Sequence, residues 1–174
     1  MLEGLEQSVT IIGSDTARLE IHSSSGNLLQ KLKYNVSGDT LTLKQLDVEK
    51  DPRTRISVYM PKDSLKGLVI SNAWVDIKNL EQKTLSVSQN QGDVRMYDKN
   101  AIGKLTLDAS NDASFNLSDT VLDTLLVQLE NAHIQINSPT GLLEGAMKNS
   151  SYLQIVAPDE IRLKKDESSR LQFN

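Results

Sequence analysis

Apolar residues recur at every second position along this chain, in short bursts separated by turn-forming residues. In the first third the bursts are Val9/Ile11, Leu19/Ile21, Leu32/Tyr34/Val36, Leu41/Leu43 and Ile56/Val58/Met60. Gly13-Ser14-Asp15, Ser23-Ser24-Ser25-Gly26-Asn27 and Ser37-Gly38-Asp39 divide them, using residues that tolerate or stabilise tight turns. Pro52 and Pro61 bracket the Ile56 burst, at strand ends where no ladder donor is required. The Leu41 burst follows its predecessor across a short Gly-containing turn, which predicts a hairpin. Residues 1–64 therefore read as an antiparallel meander capping one end of an all-β domain.

From Leu65 the pattern tightens into a repeat. First strands carry Leu68/Ile70, Leu85/Val87, Leu105/Leu107, Leu125/Val127, Leu143 and Ile161/Leu163. Second strands carry Val75/Ile77, Val94/Met96, Phe115/Leu117, Ile134/Ile136, Leu153/Ile155 and Leu171/Phe173. The unit recurs every ~17–20 residues, a period that signals a solenoid. An Asn sits between the strands in five units: Asn72, Asn90, Asn111, Asn131 and Asn149. Asn accepts left-handed backbone geometry, so it suits a sharp bend, and stacked Asn side chains can bond from rung to rung. A third apolar contact follows several second strands, at Leu80, Ile102, Val121/Leu122 and Leu142, which predicts a three-sided cross-section.

One rung cannot bury its own apolar stripe, so rungs must stack into a continuous core. Residues 1–174 then form a single parallel β-solenoid of single-stranded type, with about six rungs over 65–174. Helix competes best over Ser118 to Glu130, but that stretch falls in register with the strands around it. In the rung from Leu142 to Lys148, Gly145 stands where an apolar residue is expected. Lys164 to Arg170 reads as a charged bend that guards the open end against edge pairing.

Composition narrows the function. A net charge of −4 without basic blocks argues against a nucleic-acid partner. No apolar run is long enough for a membrane-spanning helix. Met1 to Glu6 lack the features of a signal peptide, although a mature form with its leader removed would look the same. Absent cysteine excludes disulfides and thiol chemistry. His22 and His133 both take outward positions and read as surface residues, so neither a metal nor a cofactor is expected. Asp76, Asp93, Asp108, Asp112, Asp119 and Asp123 are the carboxylates a pectinase-like β-helix enzyme would use. They fall at different rung positions, which argues against catalysis. Trp74 points outward beside an Asn bend, where it either packs against the N-terminal meander or a neighbouring subunit or, with Asp76, forms the candidate binding surface.

The order Asn27-Leu28-Leu29, Leu32-Lys33-Tyr34, Gly38-Asp39-Thr40-Leu41-Thr42-Leu43, Ile56-Ser57-Val58-Tyr59-Met60-Pro61 and Leu65-Lys66-Gly67-Leu68 carries a resemblance. With the Asn-punctuated repeats behind it, the chain resembles the putative auto-transporter adhesin head GIN domain family of bacterial envelope proteins. Its bends are Asn-rich where many members use Gly with Ala or Ser. The resemblance implies a right-handed β-helix, export from the cytoplasm to the periplasm or outer surface, and adhesion to a glycan or envelope protein. It brings no catalytic residues. The rival expectations are a carbohydrate-active enzyme and a structural, self-associating homo-oligomer.

Overall fold

The computed structural model describes residues 1–3, 5, 8–23, 32–45 and 55–174. Its strands in chain order are β1 (Leu2–Glu3), β2 (Ser8–Ser14), β3 (Arg18–His22), β4 (Leu32–Ser37), β5 (Thr40–Gln45) and β6 (Arg55–Pro61). The repeating part follows with β7 (Gly67–Ser71), β8 (Trp74–Lys78), β9 (Glu81–Asn90), β10 (Asp93–Met96), β11 (Asn100–Leu117) and β12 (Thr120–Ile136). It ends with β13 (Thr140–Lys148), β14 (Tyr152–Ile155), β15 (Glu160–Lys165) and β16 (Arg170–Phe173). No helix occurs among the described residues. The Asn27 to Leu29 motif, Pro52 and most of the Ser23 to Asn27 turn lie outside them.

Two faces wind around one core. The first face runs β4-β5-β1-β7-β9-β11-β12-β13-β15, and all its pairs are parallel except the β4–β5 hairpin. The second runs β3-β6-β2-β8-β10-β11-β12-β14-β16, with β3–β6 its one antiparallel pair. From β7 to β15 the chain makes about five turns. The 118–130 stretch is strand, as its register with neighbouring units predicts.

Period-two sequence becomes stacked columns. Leu85, Leu105, Leu125, Leu143 and Ile161 are register partners on the first face. Val75, Val94, Phe115, Ile134, Leu153 and Leu171 are partners on the second. All but the last member of each column are buried. Each fully buried Leu or Ile contributes roughly 2 kcal/mol, so the columns dominate stability. Ile161 and Phe173, on the terminal rung, stay 44% and 46% exposed because nothing among the described residues stacks beyond them.

The N-terminal region is antiparallel only in part. The β4–β5 hairpin forms across Gly38 at φ +56°, and β3 pairs antiparallel with β6. β1 and β2 instead enter the parallel stack: β1 lies between β5 and β7, and β2 between β6 and β8. The first residues thus form a rung between two later ones. Their partners lie tens of residues downstream, where local pattern cannot reach.

Asn72, Asn111, Asn131 and Asn149 adopt left-handed φ of 49°, 57°, 50° and 56°. Asn90 does not. It is the last residue of β9, and Gln91 (φ 63°) with Gly92 (φ 85°) makes that bend. A Cβ on Gly92 would sit 2.2 Å from the Ala73 carbonyl oxygen, which demands glycine. The bend amides do reach the preceding rung, but onto different partners. Asn111 Nδ2 donates to Asn90 Oδ1 (2.9 Å), Asn131 Nδ2 to Asp112 Oδ1 (2.9 Å) and Asn149 Nδ2 to Glu130 Oε1 (2.8 Å).

The third side holds Leu80 in the core and, beside it, the register column Gln82, Ile102, Leu122 and Thr140. Val121 points out at 69% exposure, and Leu142 belongs to the outer side of the first face. A buried polar spine ties this corner together, because its bends need partners for their backbone groups. Asn100 Oδ1 accepts from the Leu80 N–H (3.0 Å), its Nδ2 donates to the Tyr97 carbonyl (2.9 Å), and Ser138 Oγ accepts from the Thr120 N–H (3.2 Å).

Candidate functional site

Trp74 opens β8 immediately after the Asn72 bend, and strand alternation turns its indole outward while Val75 and Ile77 enter the core. It remains 43% exposed. Parallel register places Ser8 on one side of it and Asp93 on the other, and sets Asp76 between Thr10 and Arg95. Ser8, Trp74, Val75, Asp76, Asp93 and Arg95 line a shallow cavity of about 240 Å³. Trp74 and Asp76, singled out in the sequence, thus share one site. Asp93 and Arg95 complete it, and only the register brings them there.

Arg95 Nε lies 2.9 Å from Asp76 Oδ1. The pair has the separation of a salt bridge but not the alignment of a hydrogen bond. Asp76 is largely covered, and the guanidinium of Arg95 is exposed. Burial pushes the Asp93 carboxyl up from its ordinary value, the Asp76 charge adds to that, and Arg95 opposes it. The site therefore offers an aromatic surface, a guanidinium partly neutralised by Asp76, and a desolvated carboxyl. Carboxylates accept from hydroxyl groups, and indole packs against the C–H faces of a sugar ring.

Of the six carboxylates considered in the sequence, only Asp76 and Asp93 converge. Asp108 points outward from the first face, Asp112 and Asp119 occupy left-handed bends, and Asp123 lies on the third side. Two further hollows of about 370 and 400 Å³ border Asp123, floored by Ala101, Val121, Pro139 and Ala157. Among the described residues no three His, Cys, Asp or Glu side chains group to hold a metal. His22 is exposed, 3.9 Å from Glu20. His133 is exposed too, but it stacks on Tyr152 with ring centroids 4.7 Å apart. Sequence reasoning missed that contact, since the two residues meet only through the register of β12 with β14.

Residues 4–137 match the family described as putative auto-transporter adhesin, head GIN domain. The chain belongs to this family. The crystal structure of a putative adhesin from Bacteroides fragilis superposes on this GIN domain with a TM-score of 0.67. The alignment covers 99% of this chain and 90% of that one at 15% identity, a likeness that speaks for the fold alone. No curated protein matches the chain in sequence. No helix in the described residues of the GIN domain is long and apolar enough to cross a membrane.

Proposed function

We propose that this GIN domain is a non-catalytic adhesive module, displayed outside the cytoplasm, that holds a glycan against the second face at Trp74 and Asp76. The observation that carries this reading is the exposed indole beside the cavity of Asp76, Asp93 and Arg95. Family membership supports both the adhesive role and the location. A glycan and envelope-component array probed with the wild-type chain and with Trp74→Ala tests it. The wild type is expected to bind at least one component, and Trp74→Ala to bind about tenfold more weakly or worse. Absence of binding by the wild type to every component would overturn the reading.

A carbohydrate-active enzyme is the second reading, favoured by the nearness of Asp76 to the half-desolvated Asp93. Neighbouring rungs place carboxyls within the range of roughly 5–10 Å that glycosidases use. Against it, Asp76 is already matched by Arg95, so it serves poorly as a second acid or base. Release of reducing ends from any bound glycan, lost in Asp93→Asn, would favour the enzyme over the adhesin. Self-association through the terminal rung rests on the exposed Ile161 and Phe173, and light scattering that finds a monomer at high concentration would count against it.

A further inference from the structure

Beyond the Trp74 cavity the outward side of the second face changes character. Its positions are Ser114, Asn116 and Ser118 on and just after β11, then His133, Gln135 and Asn137 on and just after β12. Tyr152, Gln154 and Val156 follow, then Arg170, Gln172 and Asn174. Arg170 is the one fixed charge in this set, in a chain where 24% of residues are charged. Strands gain little from amide side chains, and exposed sheets are usually kept soluble by Lys and Glu. Neither propensity nor solubility explains six amides here.

The amides are held in place by one another. Asn116 Nδ2 donates to Gln135 Oε1 (3.2 Å), and Gln135 Nε2 donates to Asn137 Oδ1 (3.4 Å). Tyr152 Oη reaches Gln154 Oε1 (3.2 Å) and Gln172 Oε1 (3.0 Å). Gln154 bonds Asn174, whose Nδ2 donates to Asn137 Oδ1 (3.3 Å). Each amide has two N–H donors and two lone pairs, so these bonds leave unused capacity on each. Side chains already fixed lose little entropy when they bind. The stacked rings of His133 and Tyr152 border the amide rows.

We infer that this amide face, Asn116, Gln135, Gln154 and Gln172 with the His133–Tyr152 ledge, binds an uncharged, extended polysaccharide lying along the solenoid axis. The inference rests on the reading that the second face holds a glycan, and it adds the class of glycan and a second contact region. Amides donate to and accept from hydroxyl groups alike, which suits a polymer of alternating hydroxyls. Rungs recur every ~4.8 Å, close to the length of one sugar unit in an extended chain, so successive units meet equivalent rows. An acidic polysaccharide would find Arg170 alone in this set to meet its charges, since Arg95, the register neighbour of Asn116, is already matched by Asp76. A polypeptide partner would want an apolar anchor, and Val156 is the only aliphatic residue in the set.

Native affinity electrophoresis in gels holding hydroxyethylcellulose, glucomannan, dextran, alginate or polygalacturonate tests this. At least one neutral polymer is expected to retard the wild type, with retardation changing less than about twofold as salt rises. The double variant Gln135→Ala/Gln154→Ala, with an unchanged melting midpoint, is expected to lose retardation about tenfold. Trp74→Ala separates the two proposals. If Trp74→Ala abolishes retardation and the double variant does not, the amide face is excluded while the Trp74 site stands. Retardation by the acidic polymers alone, or by none of the five, would overturn the inference.

Discussion

The two faces share one interior and differ outside. Inward, both carry stacked apolar columns, broken on the first face at Gly145 and widened on the second by Phe115. Outward, the first face mixes charges and hydroxyls, with Lys104, Thr106 and Asp108 on one rung, Glu144 and Lys148 on another, and Glu160, Arg162 and Lys164 on the last. Over the same rungs the second face carries amides, aromatic rings and one arginine. Stacking dictates the interior and leaves the exterior free. What is unusual outside is therefore informative in a way that the columns are not.

The harshest test of the shared interior is on the first face. Gly145 has φ +140°, and a Cβ there would sit 1.8 Å from the Val127 carbonyl oxygen. Gly145→Val combines overlap with backbone strain, and is expected to cost more than about 4 kcal/mol in denaturant unfolding. On the second face Phe115 is the largest fully buried side chain. Phe115→Ala should cost about 3–5 kcal/mol by the same measurement, through loss of transfer energy and the cavity left behind. If only one face responded, the faces would not be sharing a core.

Smaller effects probe the outside. Asp93 has its folded pKa raised, chiefly by burial, so the folded state binds its proton more tightly than the unfolded chain does. Stability then falls as pH rises from the ordinary carboxylate value through the raised one. Asp93→Asn should accordingly shift the urea midpoint upward at neutral pH, with the gain vanishing below about pH 4.

The bend between β15 and β16 behaves in the opposite sense. Asp166 is held down to about 2, first by Ser169 and then by the Asn149 N–H (2.8 Å), with the Ser168 hydroxyl adding to both. Its contribution is complete above the unfolded carboxylate value and is lost as pH falls toward 2. The difference in urea midpoint between wild type and Asp166→Asn should therefore shrink over that acid range. This is the smallest expected effect, since the carboxylate is solvated. A difference that persisted at the acid end would mean the bend is stabilised by shape and not by charge.

Much of this architecture was legible in the residues. The strand pairs from Leu68 to Phe173 read directly, because period two survives in every rung but the one that Gly145 interrupts, and the inward columns are mostly Leu, Ile, Val, Met, Phe and Ala. Four of the five bend asparagines were found for a physical reason, the left-handed φ that Asn tolerates. Asn90 misled because Gln91 and Gly92 take the left-handed positions of that turn instead. The parallel pairing of β1 and β2 was hidden, since a short apolar burst carries no mark of a partner at Val75 or Ile70. Trp74 and Asp76 were visible as residues, whereas the amide rows needed register before Asn116, Gln135 and Gln154 could be seen as neighbours.

The placement of β2 between β6 and β8 also sets an order of events. A chain that emerges N-terminus first presents Val9 and Ile11 long before their partners exist, Ile56 and Val75 for the one, Val58 and Ile77 for the other. Those residues must wait, unpaired, until Lys78 has followed them out, and only then can the first rung close on both sides. Closure at the leading end is thereby delayed, because the earliest strand in the chain to enter the second face is among the last of its neighbours to find both partners.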